Sequence, residues 1–225
     1  MIRKEAPMTK EQLMEHRISY FKRPAMTVST KYKVSIANLF EYIVGMHYTE
    51  ETWTLRDIKD DKERKAYKAK NFDFVTFSGL FSYRKDDCLV QHSGLMCLDF
   101  DHLGGRRWEL RNRLIEDPYF ETELLFTSPS GDGLKWVVEI DIGRRDHRTW
   151  FRAIQNYVRQ TYHEEVDEKC INESRACFLP HDSSCYVNPI LDSPLDFKGD
   201  TLITNQDAGE AESSVSLKKE TDNEE

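Results

Sequence analysis

Residues 95–102 read Leu-Met-Cys-Leu-Asp-Phe-Asp-His, an apolar run that stops on two carboxylates one residue apart; no other stretch restricts the fold so strongly. Four apolar residues in succession suit a strand covered on both faces. The two-residue period of a strand then turns Asp99 and Asp101 to the same side at its end. Two like charges roughly 6 to 7 Å apart repel unless a cation, a proton or a basic group lies between them. The octet therefore has two readings. Either the acids belong to a site for a divalent metal, or they are a solvated strand end in which Asp101 caps a helix starting near Leu103.

A chain of 225 residues with 39% hydrophobic and 12% aromatic residues buries a full core, and its length suits one domain or one domain with an appended subdomain. It contains no run of eighteen apolar residues, and Met1-Ile2-Arg3-Lys4-Glu5 lacks the apolar core of a signal peptide, so a cytoplasmic protein with no membrane partner is expected. The five cysteines, an odd number scattered at 88, 97, 170, 177 and 185, do not form a disulfide framework. Cys170, Cys177, His181 and Cys185 invite a zinc reading, but their spacing lacks the Cys-x2-Cys knuckle; buried thiols and a loop histidine are the expectation instead. Net charge is −8, of which the eight acids and two lysines of residues 199–225 contribute −6, leaving −2 for the rest. That balance argues against a binder of bulk polyanion. Arg106, Arg107, Arg111 and Arg113, then Arg144, Arg145, Arg148 and Arg152, suffice for local phosphate contacts, although arginines on helices also serve as a solvated face.

Ile36, Leu39, Phe40, Ile43 and Val44 recur at helical spacing between Ser35 and Gly45, which predicts a capped amphipathic helix. Residues 52–55 are expected as a short strand, and the charged residues 59–70 as a surface helix or ordered loop. Residues 72–77 predict a strand running into a turn at Ser78-Gly79. A reversal at Asp86-Asp87 and a strand reopening at Leu89-Val90 follow. From the octet onward the expected order is strand (95–100), helix (107–115), strand (123–127), tight turn (128–133), strand (134–140), helix (146–162) and strand (175–180). This is the split β-α-β order of ferredoxin-like and RNA-recognition-motif folds. The expected class is α+β, with a βαββαβ core in a domain over 33–198, an N-terminal α/β extension over 1–32, and an acidic, disordered tail over 199–225.

Two further stretches carry candidate chemistry. Ser128-Pro129-Ser130-Gly131-Asp132-Gly133 is a turn of small residues followed by Leu134-Lys135. Its glycines admit close approach to an anion, its hydroxyls donate, and Lys135 adds positive charge, although such a turn is also an ordinary hairpin. Asp167, after the long helix, precedes Arg175 by eight residues, an acid and a base able to complete a site for metal and triphosphate; Glu164, Glu165 and Glu168 compete with it as a solvated helix end.

Taken in order, the strand ending in Asp99-Phe100-Asp101, the Ser-x-Ser-Gly-x-Gly-Leu-Lys stretch at 128–135, and Val166-Asp167 with Ser174-Arg175 and Leu179-Pro180 resemble the three motifs of the archaeo-eukaryotic primase superfamily. Within it, the likeness is to the primase-related N-terminal domain found ahead of virulence-associated E (VirE) type helicases in bacterial mobile elements. Phe77-Ser78-Gly79-Leu80-Phe81, Ser93-Gly94-Leu95 and Pro180-His181-Asp182 also resemble that domain, and the likeness spans roughly residues 33–190. The resemblance implies that Asp99, Asp101 and Asp167 hold two Mg2+ or Mn2+ ions. It also implies that Ser128, Ser130, Gly131, Gly133, Lys135 and Arg175 bind the nucleotide's phosphates, and that the reaction is nucleotidyl transfer onto a nucleic-acid primer or template in mobile-element or phage-type replication. Lys135 departs from the pattern, because the superfamily usually has histidine there. The implied partners are nucleoside triphosphates, single-stranded or primed nucleic acid, and a separately encoded helicase, since no Gly-x4-Gly-Lys-Ser/Thr stretch occurs in this chain. The competing expectations are a catalytically inactive nucleic-acid-binding module and a metal-dependent nuclease.

Overall fold

The computed structural model describes residues 9–26 and 28–192, so the expected acidic tail over 199–225 lies outside the described residues. In chain order these residues form helix α1 (Lys10–Met14), strands β1 (Ile18–Phe21) and β2 (Tyr32–Val34), and helices α2 (Ile36–Val44), α3 (Thr49–Asp57) and α4 (Asp61–Asn71). Strands β3 (Phe74–Thr76), β4 (Gly79–Phe81), β5 (Leu89–His92) and β6 (Leu95–Phe100) follow, then helix α5 (Arg107–Ile115), strands β7 (Thr122–Thr127) and β8 (Leu134–Glu139), helix α6 (His147–Tyr162), and strands β9 (Cys177–Phe178) and β10 (Tyr186–Val187). The fold is α+β with antiparallel sheets, in the orders β2-β1-β3-β9, β10-β7-β8-β6 and the two-stranded β4-β5.

The sheet containing the octet is buried on both faces, which is why its strands read as continuous apolar runs instead of alternating ones. Met96, Leu98, Phe100, Leu125, Leu134, Trp136 and Val138 pack under α5 and α6 with Leu110, Leu114, Trp150, Phe151, Ile154 and Val158. On the opposite face Leu95, Leu124, Phe126 and Val137 meet Ile36, Leu39 and Ile43 of α2, Val75 of β3 and Cys177 of β9. α6 starts where Asp146 accepts the Thr149 N–H and presents its apolar stripe to the sheet. α2 is closed by the reciprocal Ser35–Asn38 capping pair.

Two expectations are corrected. Residues 52–55 are helical, within α3: Thr52 and Leu55 are buried while Trp53 and Thr54 are exposed, a three-residue inward period that a strand cannot produce. The strand at Cys177–Phe178 exists but pairs with β3, not beside β6, and β10 takes the free edge of β7. The charged 59–70 stretch is the helix α4, capped by Asp60. β1, inside the expected N-terminal extension, lies between β2 and β3. No helix among the described residues is long and apolar enough to cross a membrane.

A histidine pair, with His147 buried and His92 half-buried, ties β5 to α6. The Gly94 N–H donates to His92 Nδ1 (2.9 Å), which leaves the proton on His92 Nε2 to donate to His147 Nδ1 (3.1 Å), and His147 Nε2 in turn reaches the Cys170 carbonyl (3.4 Å). Burial, reinforced by the His147 ring, pushes His92 down to about 4, and burial pushes His147 down as well. The unfolded chain therefore takes up a proton below about pH 6.5 that folded His92 refuses until about pH 4, and His147 acts in the same direction. Folding stability is expected to fall across that window by about 2 kcal/mol after discounting His92 for its partial exposure. Urea midpoints between pH 7 and 4 should show the decline, and His92→Gln should flatten it; parallel pH profiles for both proteins would refute the assignment.

Candidate functional site

Asp99 closes β6 on the face shared by Leu95 and Cys97, away from Met96, Leu98 and Phe100, which face the helices. The β6–β8 register puts Lys135 directly opposite, and its ammonium pairs with Asp99 Oδ2. Asp99 is 6% exposed, and its other oxygen, Oδ1, is buried with no hydrogen-bond partner. Burial works against the Lys135 charge, but the Asp99 field outweighs it together with the neighbouring thiols, so the lysine's pKa lies above its ordinary value.

Asp167 reaches the same place through the main chain. Its N–H donates to the Asp99 carbonyl oxygen (2.9 Å), while Val166 anchors the segment in the core beneath the helices. Asp167 Oδ1 accepts from the Lys169 N–H (3.0 Å), and Oδ2 pairs with Arg175 (2.7 Å). Asp101, one step past the strand, is exposed. One carboxylate oxygen from each of Asp99, Asp101 and Asp167 lies within 4.8 Å of the others. Asp101 does not cap the following turn: the turn at Gly104–Arg106 has no side-chain cap, and the Gly104 N–H goes to Asp132 Oδ1 (2.9 Å).

The 128–133 turn packs against the end of β6 so closely that a side-chain carbon at Gly133 would collide with the Phe100 carbonyl oxygen. The Ser128 hydroxyl accepts the Gly133 N–H (3.1 Å), and the Ser128 N–H bonds the Gly133 carbonyl (2.9 Å). Ser128 and Gly133 thus build the turn, and Gly131, with φ of +82°, lies against Arg56. Ser130 is half-buried, its hydroxyl 3.2 Å from that of Ser128. With Asp101 and His102 it lines a cleft of about 200 Å³ whose other wall is α4, carrying Arg64, Lys65 and Lys68. Lys68 has its pKa lowered by burial and then by Lys135, with Asp99 and Asp101 acting in the other direction.

A second cavity, about 20 Å³, lies between Asp99, Lys135, Arg175, Cys97 and Cys177 and has room for a single water-sized ligand. The Cys97 thiol donates to Cys177 Sγ (4.0 Å), which raises the pKa of Cys97 and lowers that of Cys177. Of the remaining residues weighed for zinc, Cys170 is buried with its pKa pushed up to about 12, His181 bonds the Gly45 carbonyl (2.9 Å), and Cys185 lies near the Tyr186 carbonyl.

The three acids and the Lys135, Arg175 and Ser130 side chains thus converge. Lys68 and the thiol pair were missed by sequence reasoning. Cations recurring at 64, 65 and 68 on a helix without buried residues are indistinguishable from a solvated face, and cysteines eighty positions apart give no sign of contact. The acids Asp99, Asp101 and Asp167 face the cations Lys68, Lys135 and Arg175, three charges against three. An all-oxygen donor set with one buried carboxylate oxygen unengaged fits a hard divalent cation such as Mg2+ or Mn2+. Lys135→Met leaves the buried Asp99 without its cation, and a loss of about 3 kcal/mol is expected in urea unfolding. Mn2+ should restore part of that loss by occupying the same carboxylates; an unchanged midpoint for the variant would contradict this description.

No curated protein and no solved structure matches this chain. The profile of the family described as BT4734-like, N-terminal domain matches residues 67–187, which is 121 of the 225 residues, and that span contains all three acids with Lys68, Ser130, Lys135 and Arg175. The chain belongs to the BT4734-like N-terminal domain family.

Proposed function

We propose that the three-carboxylate site binds Mg2+ or Mn2+ and transfers nucleotidyl groups onto a nucleic-acid primer or template, as the likeness to primase-related domains implies. The observation that carries the reading is the convergence of one carboxylate oxygen each from Asp99, Asp101 and Asp167, within 4.8 Å of one another, at an aspartate whose Oδ1 is buried with no hydrogen-bond partner. The arrangement β6-α5-β7-β8-α6, with β8 between β6 and β7 and both helices packed on one face, supports a ferredoxin-like or RNA-recognition-motif core whose last strand has been diverted to the neighbouring sheet.

Bound divalent ions would stabilise the charge that develops on a phosphate during transfer. The chain's own residues divide the remaining work. Lys68, Lys135 and Arg175 offset the three acids and Lys65 adds a further positive charge beside Asp101, so a divalent ion makes the site more strongly positive and selects a polyphosphate over a neutral substrate. Lys68 and Lys65, with the Ser130 hydroxyl, line the cleft beside Asp101 and are placed to take phosphate oxygens. Lys135 is committed to Asp99 and acts as a positioning residue: it orients the carboxylate so that Oδ1 stays free for the metal. Arg175 likewise orients Asp167 through Oδ2, while Asp167 Oδ1 accepts the Lys169 N–H.

A second reading has its own observation. Because Lys135 and Arg175 already neutralise Asp99 and Asp167, the acids are stable without metal, as a catalytically inactive nucleic-acid-binding module would require. Mn2+ titration followed by electron paramagnetic resonance, and extension of a primed template with nucleotides and Mn2+, separate the two. Asp101→Asn, at an exposed position, should lower both Mn2+ affinity and incorporation by at least about 100-fold without changing the thermal midpoint. Wild-type protein that neither binds Mn2+ nor extends a primer would overturn the enzyme reading, and cleavage of the template without nucleotides would assign a nuclease.

A further inference from the structure

On the far side of the 128–133 turn from the acid cleft is a second, open groove of about 490 Å³, lined by Arg56, Arg107, Trp108, Ser130, Gly131 and Asp182 among others. Ser130 belongs to both, so the groove runs on directly from the cleft beside Asp101. Two helices flank it, and each fastens itself to the turn by an arginine. Arg56 of α3 donates to the Pro129 carbonyl (3.2 Å), and Arg107 of α5 donates to the Gly131 carbonyl. Each helix also shows a tryptophan to solvent beside those arginines. Trp108 is 50% exposed with the Arg107 and Arg111 guanidinium groups 5.4 and 5.8 Å from its ring, and Trp53 is 58% exposed with Arg56 at 5.6 Å.

We infer that this groove seats a single strand of nucleic acid, its bases stacked on Trp108 and the adjoining guanidinium planes and its backbone held by Arg56, Arg107 and Arg111. Singly exposed aromatics are ordinary on a protein surface, but here two indoles flank one turn and each lies under arginine. Among the described residues none of these three arginines pairs with a carboxylate. Their donors go to main-chain carbonyls of Pro129, Gly131 and Ser184, and the Arg107 Nε is buried without a partner. The acids that face the groove are occupied: Asp182 accepts from the Thr127 and Ser184 N–H groups, and Asp132 from Gly104. An apolar protein partner would leave the guanidinium charges offset only in part, by Asp182 acting on Arg56, whereas a strand offers phosphates for the charge and unpaired bases for the rings. The inference deepens the reading given under Proposed function, and rests on it only for the claim that the strand leads to the acids.

The test is fluorescence anisotropy of labelled 12-nucleotide dT and U strands with the full chain, in EDTA and without nucleotides. It reports the groove whether or not the carboxylates hold metal, while Mn2+ titration reports the carboxylates whether or not a strand binds. Wild-type protein should bind at least one strand with an affinity that falls as salt rises. Trp108→Ala should weaken binding about tenfold, Trp108→Phe should recover most of it, and the corresponding duplex should bind less tightly than the strand, because its bases are already stacked. The two strands distinguish a DNA groove from an RNA groove. Absence of binding to both strands, equal binding of duplex and strand, or unaltered binding by a folded Trp108→Ala variant would overturn the proposal.

Discussion

The cross-strand pair of Asp99 and Lys135 is the contact on which the site depends. It is a consequence of register: a one-residue slip between β6 and β8 would send Asp99 among the aromatic side chains under α5 and α6, where no cation waits for it. A carboxylate buried to this degree persists as a charge only with a partner, and the lysine is equally dependent on the acid. The pair thus links strand alignment to electrostatics, and a sheet assembled in the wrong register forfeits both its packing and its charge balance. What remains after the pair forms is a single carboxylate oxygen, held in place and unengaged, beside two further acids.

The same two-faced sheet explains how residues distant in the chain meet. One face is closed by α5 and α6 in the pattern of an isolated α/β layer, and the other by α2 with β3 and β9 of a second sheet. The acid site sits where the second face meets β9, so its boundary includes residues from the segment after α6 and from α4. Proximity between Asp99 and Arg175, or between Asp101 and Lys68, is a property of how two sheets are stacked and not of any one motif.

Much of this was legible in the sequence. The run of residues 95–100 could only be a covered strand, Ser35 and Asp146 announced their helices, and the glycines of the 128–133 turn announced a hairpin, because each signal is local and has one dominant physical solution. The meeting of Asp99, Asp101 and Asp167 was expected from motif order and is seen in space. Other features were not legible. A two-residue strand such as Cys177–Phe178 carries no preference for an edge, and its pairing with β3 is decided by neighbours far away in the chain. Residues 52–55 are rich in strand-forming types, and only burial of Thr52 and Leu55 reveals a helix. The commitment of Lys135 to Asp99 depends on a register that no single stretch encodes.

The main-chain bond from the Asp167 N–H to the Asp99 carbonyl has a meaning for how such a domain can change over time. The third acid is located by backbone as well as by its carboxylate, which accepts the Lys169 N–H and pairs with Arg175, so the main-chain bond still ties the loop to β6 when that carboxylate is altered. Chemistry and architecture are therefore separable by inheritance. A descendant can lose the two peripheral acids by single substitutions and keep its core, its turn and its open groove, whereas replacing Asp99 demands a simultaneous change at Lys135. The innermost acid is the last to be relinquished, and a lineage that has lost the two peripheral acids would carry the Asp99–Lys135 pair as its residue.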